Sequence, residues 1–537
     1  MDSTRPAPPA ELTLAQQARM VGRLHVALQA QAPPHPVERI ETHISWVLVT
    51  PTLAYKFKKA LNPGFLDYRT RAQRLQGCQE ELRLNRRLAP DLYLRVADIG
   101  GTSDAPVLDG AGPPIDHAVC MRAFDQAGLW DRLAASGRLG AAQVEQLADL
   151  IARFQAGAAA AGPDSRFGHA EQVREPVIDN FDALATLLDD PTDRAALEAL
   201  RSWEAAAFTS LAATFEQRRL AGRVREGHGD LHLGNVAEID GRTTIFDGIE
   251  FNESFRWLDT AGEIAFLAMD LHAHGLPALA HRFVDRWLQH SGDHGGLAVL
   301  RYHMVYRALV RAKIAALRAQ QAGRAPADAA RPGLALASRL SRPAAPLLLI
   351  THGLSGSGKS TLARSLVEAI GAVQLRADVE RKRLFGLQAE ARSGSAPGDG
   401  LYTAAATQAT YGRLFELAAT VLQAGHSAVL DATFLLRSQR DGARQVAAAA
   451  GVPLLILDID LDITTLLARV QARHRAGCDA SEADLGVLAL QQRSAEPLAP
   501  DERAEVLDCT ALARDGHGAG RNDWQRRLQP WRPTPDH

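Results

Sequence analysis

Apolar positions recur at helical spacing from Leu12 to Ala30, after which the pattern switches towards a period of two. Ile44 to Thr50 and Leu53 to Lys58 flank Pro51-Thr52 and predict a β-hairpin. Thr70 to Leu88 predicts a charged amphipathic helix, and His117 to Phe124 another buried strand. From about Asp125 to Leu220 the pattern is almost wholly helical. The Ala- and Arg-rich stretch from about Ala319 to Pro346, with prolines at 326, 332, 343 and 346, is the linker candidate, although much of it can extend a helix. Beyond it, the apolar runs Leu347 to Ile350, Ala428 to Leu430 and Leu454 to Ile459 alternate with helical stretches, which predicts a parallel α/β sheet. No internal repeat is present.

This pattern divides the 537 residues into a flexible arm (1–10), a first domain (11–325, with lobes at about 11–124 and 125–325), a linker (326–345) and a second domain (346–537). Hydrophobic residues make up 46% and charged residues 23%, a balance that excludes a largely disordered chain. Lys plus Arg (60) nearly equal Asp plus Glu (62), so no strong field points to nucleic acid or a membrane surface, and an anionic ligand has to be held locally. Cys78, Cys120, Cys478 and Cys509 are scattered without zinc-site spacing and read as reduced thiols. The proline-rich start lacks the form of a signal peptide and no run reaches the ~18 apolar residues of a membrane span, so the expected compartment is cytoplasmic.

The chemistry concentrates in two places. Gly353-Leu354-Ser355-Gly356-Ser357-Gly358-Lys359-Ser360 fits G-x-x-x-x-G-K-[ST], with a buried strand before it and a helix starting at Thr361 after it. Glycines let backbone N–H groups close around phosphate oxygens, and the helix N-terminus adds a favourable dipole. Gly353, Ser355, Gly356, Ser357, Gly358 and Thr361 are therefore expected around the phosphates, with Lys359 neutralising charge and Ser360 a ligand for Mg²⁺. Asp431 ends the strand Ser427 to Leu430, where a carboxylate can hold Mg²⁺ or its water. Asp378 is placed to take a proton from an acceptor hydroxyl, and Arg381, three residues on, shares its helical face and is a candidate for binding a substrate anion. Lys382 and Arg383 read as a solvated face. Arg469 and Arg473, at i and i+4, are candidates for a lid over the transferring phosphoryl group.

The P-loop, the Asp-x-x-Arg pair, the strand ending in Asp431-Ala432-Thr433 and the late arginines together resemble the small P-loop kinases over about Leu347 to Arg503. These include gluconate and shikimate kinases, the kinase domain of polynucleotide kinase and zeta-type toxins. The resemblance implies Asp378 as catalytic base or acceptor contact, Arg381 as a substrate-phosphate ligand and Arg469 or Arg473 as lid residues.

The second constellation lies upstream. His228-Gly229-Asp230-Leu231-His232-Leu233-Gly234-Asn235 carries Asp and Asn five residues apart, as in the kinase H-R-D-x-x-x-x-N loop. Asp230 is placed to accept a hydroxyl proton and Asn235 to hold a metal. Asp247 follows a short apolar strand 17 residues after Asp230, as a metal-binding acid should. Lys56 and Lys58 share one face of the strand Leu53 to Lys58, with Glu81 on the next helix; either lysine can contact ATP phosphates while pairing with Glu81, and Lys56 is favoured. The region Glu41 to Trp46, where a phosphate-covering loop is expected, contains no glycine, so cover there needs side chains such as Thr42 or Ser45.

This constellation resembles the aminoglycoside phosphotransferase-like branch of the protein-kinase fold. Its fusion to a P-loop kinase, with Glu41-Thr42-His43-Ile44-Ser45-Trp46 and Tyr55-Lys56-Phe57-Lys58-Lys59 near the start, is similar to a bacterial family of bifunctional phosphotransferase/ATP-binding proteins over nearly the whole chain. The resemblance implies a two-lobed kinase-like domain followed by a P-loop α/β domain, Asp230 as base, Asn235 and Asp247 as Mg²⁺ ligands, and Asp259 to Asp270 as a structural helix. His272, His274, His290 and His294 lack zinc-site spacing and read as solvated or capping residues. The expectation is an ATP- and Mg²⁺-dependent phosphotransferase acting on a hydroxyl of a small molecule, with no nucleic-acid or membrane partner. The alternative is a nucleotide-binding regulator whose N-terminal domain senses a ligand or ATP without turnover.

Overall fold

Alternation decides the first sheet. In the computed structural model, which describes residues 11–531 except 65, 344, 389–390, 392–400, 402, 477–484 and 515–517, the expected arm at 1–10 lies outside the described residues. Helix α1 (Leu14–Gln31) opens with a Thr13/Gln16 capping box and buries Met20, Val21 and Leu24. It lies on a six-stranded antiparallel sheet of β1 (Glu38–Glu41), β2 (Ser45–Val49), β3 (Leu53–Lys58), β4 (Tyr93–Gly101), β5 (Pro106–Leu108) and β6 (Asp116–Arg122), in the order β1-β2-β3-β6-β4-β5. Tyr55 and Phe57 of β3 join the α1 face with Trp46, Leu48 and Ile99. The period of two then sends Lys56 and Lys58 to the opposite face, towards α2 (Arg71–Asn85). The predicted hairpin is the β2–β3 pair.

The rest of this unit, which runs to Leu139 and includes Gly157–Gln172 and Glu216–Leu267, is small in secondary structure. It holds α3 (Trp130–Ala135), β7 (Val224–Glu226), the hairpin β8 (Val236–Ile239) and β9 (Arg242–Ile245), α7 (Glu253–Arg256) and β10 (Trp257–Asp259). Asp240 and Gly241, at φ 51° and 74°, form the two-residue turn of that hairpin.

The second unit holds Gly140–Ala156, Val173–Phe215 and everything from Ala268 onward. It contains α4 (Ala141–Gly157), most of α5 (Ala170–Leu187) and α6 (Pro191–Leu220), the end of α8 (Thr260–Ala273), α9 (Pro277–Ser291), α10 (Leu297–Gln321) and α11 (Pro326–Ser341). Helices of the expected first domain thus group with the P-loop domain. The stretch 326–345, expected as a linker, is largely helix: Pro326 takes the first helical position, where its missing N–H costs nothing, and Ala330, Leu334 and Ala337 are buried. Gly333 lets α11 approach α10 so closely that an added Cβ would stand 2.8–3.0 Å from Ala312.

Beyond this lies a five-stranded parallel sheet in the order β12-β13-β11-β14-β15, formed by β11 (Leu348–His352), β12 (Val373–Arg376), β13 (Ala428–Asp431), β14 (Leu454–Asp458) and β15 (Val506–Asp508). Helices α12 (Lys359–Ile370), α13 (Ala377–Leu384), α14 (Ala404–Gln423), α15 (Arg437–Ala450), α16 (Ile463–Ala476), α17 (Leu485–Ser494), α18 (Thr510–Arg514) and α19 (Arg521–Leu528) complete the domain. Its core joins Leu349, Val429, Leu455 and Leu457 to Leu362, Leu366 and Trp524. The fold is one unit built on an antiparallel sheet and a second, interleaved with it along the chain, that carries the P-loop α/β domain. Cys78, Cys120 and Cys509 are buried thiols, and Cys478 lies outside the described residues. No helix among the described residues is long and apolar enough to cross a membrane.

Gly333→Val should lower stability by about 1–3 kcal/mol through overpacking of α10 against α11, read as a lowered denaturant midpoint. A midpoint equal to that of the unsubstituted protein would refute the close approach.

Candidate functional site

In the first unit the β8–β9 hairpin folds the two ends of the predicted loop together. Asn235 immediately precedes β8 and Asp247 follows β9 by two residues; Phe246 N donates to Asn235 O at 3.0 Å and so draws Asp247 alongside. Asn235 Nδ2 donates to Asp230 O at 3.0 Å and to Asp230 Oδ2 at 3.1 Å. Asp247 adopts φ 63°, with its N–H on the Tyr93 hydroxyl at 3.1 Å and the following Gly248 N–H on Asn85 Oδ1 at 2.8 Å. Neighbouring side chains thus fix a backbone turn that an L-residue rarely adopts.

The two lysines divide. Lys56 Nζ reaches Glu81 Oε1 at 2.9 Å and Asp247 Oδ1 at 2.5 Å, whereas Lys58 Nζ reaches Glu81 Oε2 at 2.7 Å and is also bound to Glu250. Tyr68 OH donates to the same Glu250 at 3.0 Å. Lys58 is 2% exposed and locked in place; Lys56 sits beside Asp247, whose side chain is 43% exposed. Burial presses both ammonium groups towards neutrality, but Asp247 and Glu81 around Lys56, and Glu250 and Glu81 around Lys58, hold their pKa values well above the usual lysine value. Burial likewise pushes Glu81 up, yet the two lysines prevail and bring it down to about 2. Asp230, Asn235, Asp247, Lys56 and Glu81 therefore converge, and the donor set of one carboxylate and one amide beside a second carboxylate suits a divalent cation. Glu250 has no role in the sequence reading; its only signal is an acid a few residues after a β-strand.

The expected phosphate-covering turn is closed on itself. Thr42 Oγ1 accepts from Ser45 N at 3.0 Å and shares a 2.7 Å hydrogen bond with Ser45 Oγ, while Lys59 Nζ donates to Glu41 Oε1 and Thr42 O. Hydroxyls of Thr42 and Ser45 thus stabilise the turn that glycine was not present to make.

In the second unit, β11 runs into the P-loop and α12 begins at Lys359. Gly353, Gly356 and Gly358 take φ of 139°, 87° and 96°. A Cβ on Gly353 would stand 2.6 Å from Ile459 O, and one on Gly356 would crowd Val470 and Leu466 O. Only glycine fits there, and the resulting cradle is shaped for a polyanion. Lys359 Nζ lies over the loop, 2.7 Å from Leu354 O and 3.4 Å from Ser357 Oγ, and Ser355 N–H donates to Gln491 Oε1 of α17 at 2.9 Å.

A cavity of about 430 Å³ joins this cradle to the other predicted residues. Its lining includes Ser355, Gly356, Gly358, Lys359, Ser360 and Thr361 of the loop and helix start, together with Asp378, Arg381, Asp431 and Arg469. Arg381 Nη1 stands 3.4 Å from Asp378 Oδ1, the i,i+3 pairing expected of one helical face. Asp431 Oδ2 accepts from Gln374 Nε2 at 2.8 Å and lies 3.7 Å from Arg376 Nε. Arg469 bridges Ser357 O at 3.4 Å to Ala513 O at 2.9 Å, beside a smaller cavity of about 250 Å³ lined by Leu512 and Gly518. Arg473 lies in α16, but its side chain falls outside the described residues. Arg376, Tyr411 and Gln491, which also line the cavity, and Gln374, which reaches it only through Asp431, were not singled out from sequence, because polar residues in a helix or at a strand end carry no local signature of a shared site.

Two sequence readings are corrected. Lys382 and Arg383 are not a solvated face: Lys382 is buried, and Arg383 is half-buried, paired with Glu380 and donating to Gln289 O at 2.6 Å. The helical histidines are not uniformly solvated or capping either. His294 is buried and His272 packs against His281 with ring centroids 5.4 Å apart; burial depresses both His272 and His294 to about 4. Among the described residues no group of three or more His, Cys, Asp or Glu side chains is arranged to hold a metal.

The family model described as "AAA domain" matches residues 348–498, the region that carries the P-loop. An uncharacterised protein of Mycobacterium tuberculosis is 28% identical over 453 residues, covering 84% of this chain and 89% of its own. Among solved structures, a choline/ethanolamine kinase family protein from Mesorhizobium loti aligns with 60% of this chain and 94% of its own at 13% identity and a TM-score of 0.37. An aminoglycoside 2'-phosphotransferase solved with GDP aligns with 59% of this chain and 98% of its own at 15% identity and a TM-score of 0.37.

Asp285 of α9 supports the P-loop sheet and carries a pH signature. Burial raises its carboxyl to about 7, with Glu145 adding to the rise and the Gln374 N–H, Gln289 and Arg364 opposing it. The folded chain therefore binds this proton more tightly than the unfolded chain. The stabilisation is present below the ordinary carboxyl value and is lost as pH rises through about 7. Thermal melts from about pH 4 to about pH 8 should show Asp285→Asn gaining on the unsubstituted protein as pH rises; parallel curves would refute the raised value.

Proposed function

We propose that the chain is an ATP- and Mg²⁺-dependent phosphotransferase with two kinase-type modules, whose P-loop domain phosphorylates a hydroxyl of a small molecule. The observation that carries this reading is one cavity lined by the glycine cradle, Lys359, Ser360, Asp378, Arg381, Asp431 and Arg469. A motor or switch needs the cradle and the metal-side acid. The acid–arginine pair on the facing helix suits a second substrate, and that favours a kinase.

When bound, Mg·ATP supplies the phosphoryl group and the charge neutralisation that its transfer requires. The residues divide the remaining work. Backbone N–H groups of the P-loop and the Lys359 ammonium hold the phosphates; the Ser360 hydroxyl and Asp431 carboxylate stand on the metal side. Asp378 takes the proton of the acceptor hydroxyl, and Arg381 holds both Asp378 and an anionic group of the acceptor. Arg469 places positive charge beside the loop. Such a site acts by positioning and electrostatics, because phosphoryl transfer asks little covalent chemistry of the protein.

In the N-terminal module, Lys56 would contact the nucleotide phosphates while Glu81 holds it, Asn235 and Asp247 would serve as Mg²⁺ ligands, and Asp230 would be the base. The choice of Lys56 over Lys58 rests on its pairing with Asp247, since Lys58 is bound by Glu250 instead. The domain division proposed with this function is 11–325 and 346–537, with α11 as the connecting element.

Labelled ATP with a metabolite extract should yield a phosphorylated product from the full chain. Lys359→Ala should reduce that transfer by about 10²–10³-fold, the effect of losing one preorganised charge donor, and Asp378→Asn by about 10²–10⁴-fold. ATP binding without transfer or hydrolysis in the unsubstituted protein would overturn the enzymatic reading. Asp230→Ala should remove a second, independent transfer activity; if every activity survives it, the N-terminal module is not a catalyst.

A further inference from the structure

Strand β12 is the edge of the parallel sheet. Val373 N–H donates inward to Ser427 O at 2.8 Å, so the next N–H along, that of Gln374, points away from the sheet. An unpaired buried N–H is costly, and Asp285 Oδ1 takes it at 2.7 Å. The side chain of the same residue then donates Nε2 to Asp431 Oδ2 at 2.8 Å. Gln374 and Asp431 are 4% and 7% exposed, so water does not compete readily for this bond. From these contacts we infer that Gln374 is a positioning residue for Asp431, and that helix α9, through Asp285, sets its position.

The inference rests on Asp431 as the metal-side acid of the P-loop site. Gln374 and Arg376 both approach Oδ2, which leaves Oδ1 as the oxygen presented to a cation in the cavity that Asp431 lines. A carboxylate held by a neighbouring donor binds a metal more tightly, because its orientation is fixed before the metal arrives.

Helix α9 is itself clamped. His281 Nδ1 lies 3.3 Å from Glu368 O, Arg282 Nη1 pairs with Glu368 Oε1 at 2.5 Å, Asp285 holds Gln374, and Gln289 O accepts from Arg383 Nη2 at 2.6 Å. The spacing i, i+1, i+4 and i+8 places all four on one face, laid across the end of α12, the edge of β12 and α13. A shift of α9 therefore carries Gln374 with it and changes the grip on Asp431. The metal affinity of the P-loop site becomes a readout of a helix that precedes the P-loop in the chain and touches no part of the cavity.

Calorimetric titration of ATP into the full-length chain, with the other module silenced by Asp247→Ala, tests this in EDTA and across a Mg²⁺ series. Gln374→Leu should weaken the apparent Mg²⁺ affinity by about 10–100-fold while Mg²⁺-free ATP binding stays within about two-fold. Asp285→Asn keeps an acceptor oxygen for the Gln374 N–H and should retain the Mg²⁺ affinity; Asp285→Leu should share the Gln374→Leu defect. Mg²⁺ affinity unchanged in Gln374→Leu, with a normal Mg²⁺ response in the parent, would overturn this inference alone. Loss of Mg²⁺-free binding in Gln374→Leu would reduce the residue to a fold support and also overturn it. A parent chain that binds no ATP under either condition would overturn the phosphotransferase reading itself and this inference with it.

Discussion

Parallel pairing across β12, β13, β11 and β14 brings four strand ends to one level, and the P-loop site depends on that constraint. The register sets Arg376 beside Asp431 and His352 beside Asp458, so each strand delivers its next residues to the same rim. From β11 come the glycine cradle and Lys359, from β12 come Asp378 and Arg381, from β13 comes Asp431, and after β14 comes Arg469. Ligand sites of open α/β sheets collect at the carboxyl ends of the strands for this reason. A register slip of one residue would turn Asp431 to the other face and remove it from the rim.

The first unit holds its charges by a different physics. Among the described residues its site has no glycine cradle, and its ions are held by each other: Glu81 serves Lys56 and Lys58 at once, while Asp247 gives Lys56 and Glu250 gives Lys58 a second partner. Removing one partner from such a group leaves an uncompensated buried charge, which costs on the order of several kcal/mol, so the five side chains fix each other's positions. The division of labour follows from burial. Lys58, 2% exposed, is shut between two carboxylates, whereas Lys56 faces the half-exposed Asp247.

Much of this was legible in the sequence wherever the signal was local. The P-loop declares itself within eight residues, and the β2–β3 hairpin and the strands β11, β13 and β14 follow from apolar runs and turn residues. The Asp240-Gly241 turn of β8–β9 is equally local. What stayed hidden is long-range. Lys56 and Lys58 lie two residues apart on one strand face, so only the acids 191 and 192 residues away distinguish them. Gln374 is an ordinary strand residue until Asp285 and Asp431 flank it. The stretch 326–345 reads as linker because proline and alanine are frequent in it, yet Pro326 sits where a helix tolerates proline and Gly333 supplies the close approach that packs the helix on α10. Lys382 reads as solvated because charge runs usually are, and here neighbouring elements bury it.

The contrast between the two sites bears on how each responds to its surroundings. A backbone cradle is rigid, so the adjustable part of the P-loop site is its acid, and that acid is held by a side chain whose own backbone is held from α9. Because Asp285 is buried and its carboxyl is raised to about 7, its charge state changes near neutral pH. Protonation would convert one of its acceptor oxygens into a donor and weaken its grip on either Gln374 N–H or Gln289. The edge strand is then coupled to the helix through a bond whose strength is not fixed by geometry alone, and the P-loop site inherits that dependence through Gln374.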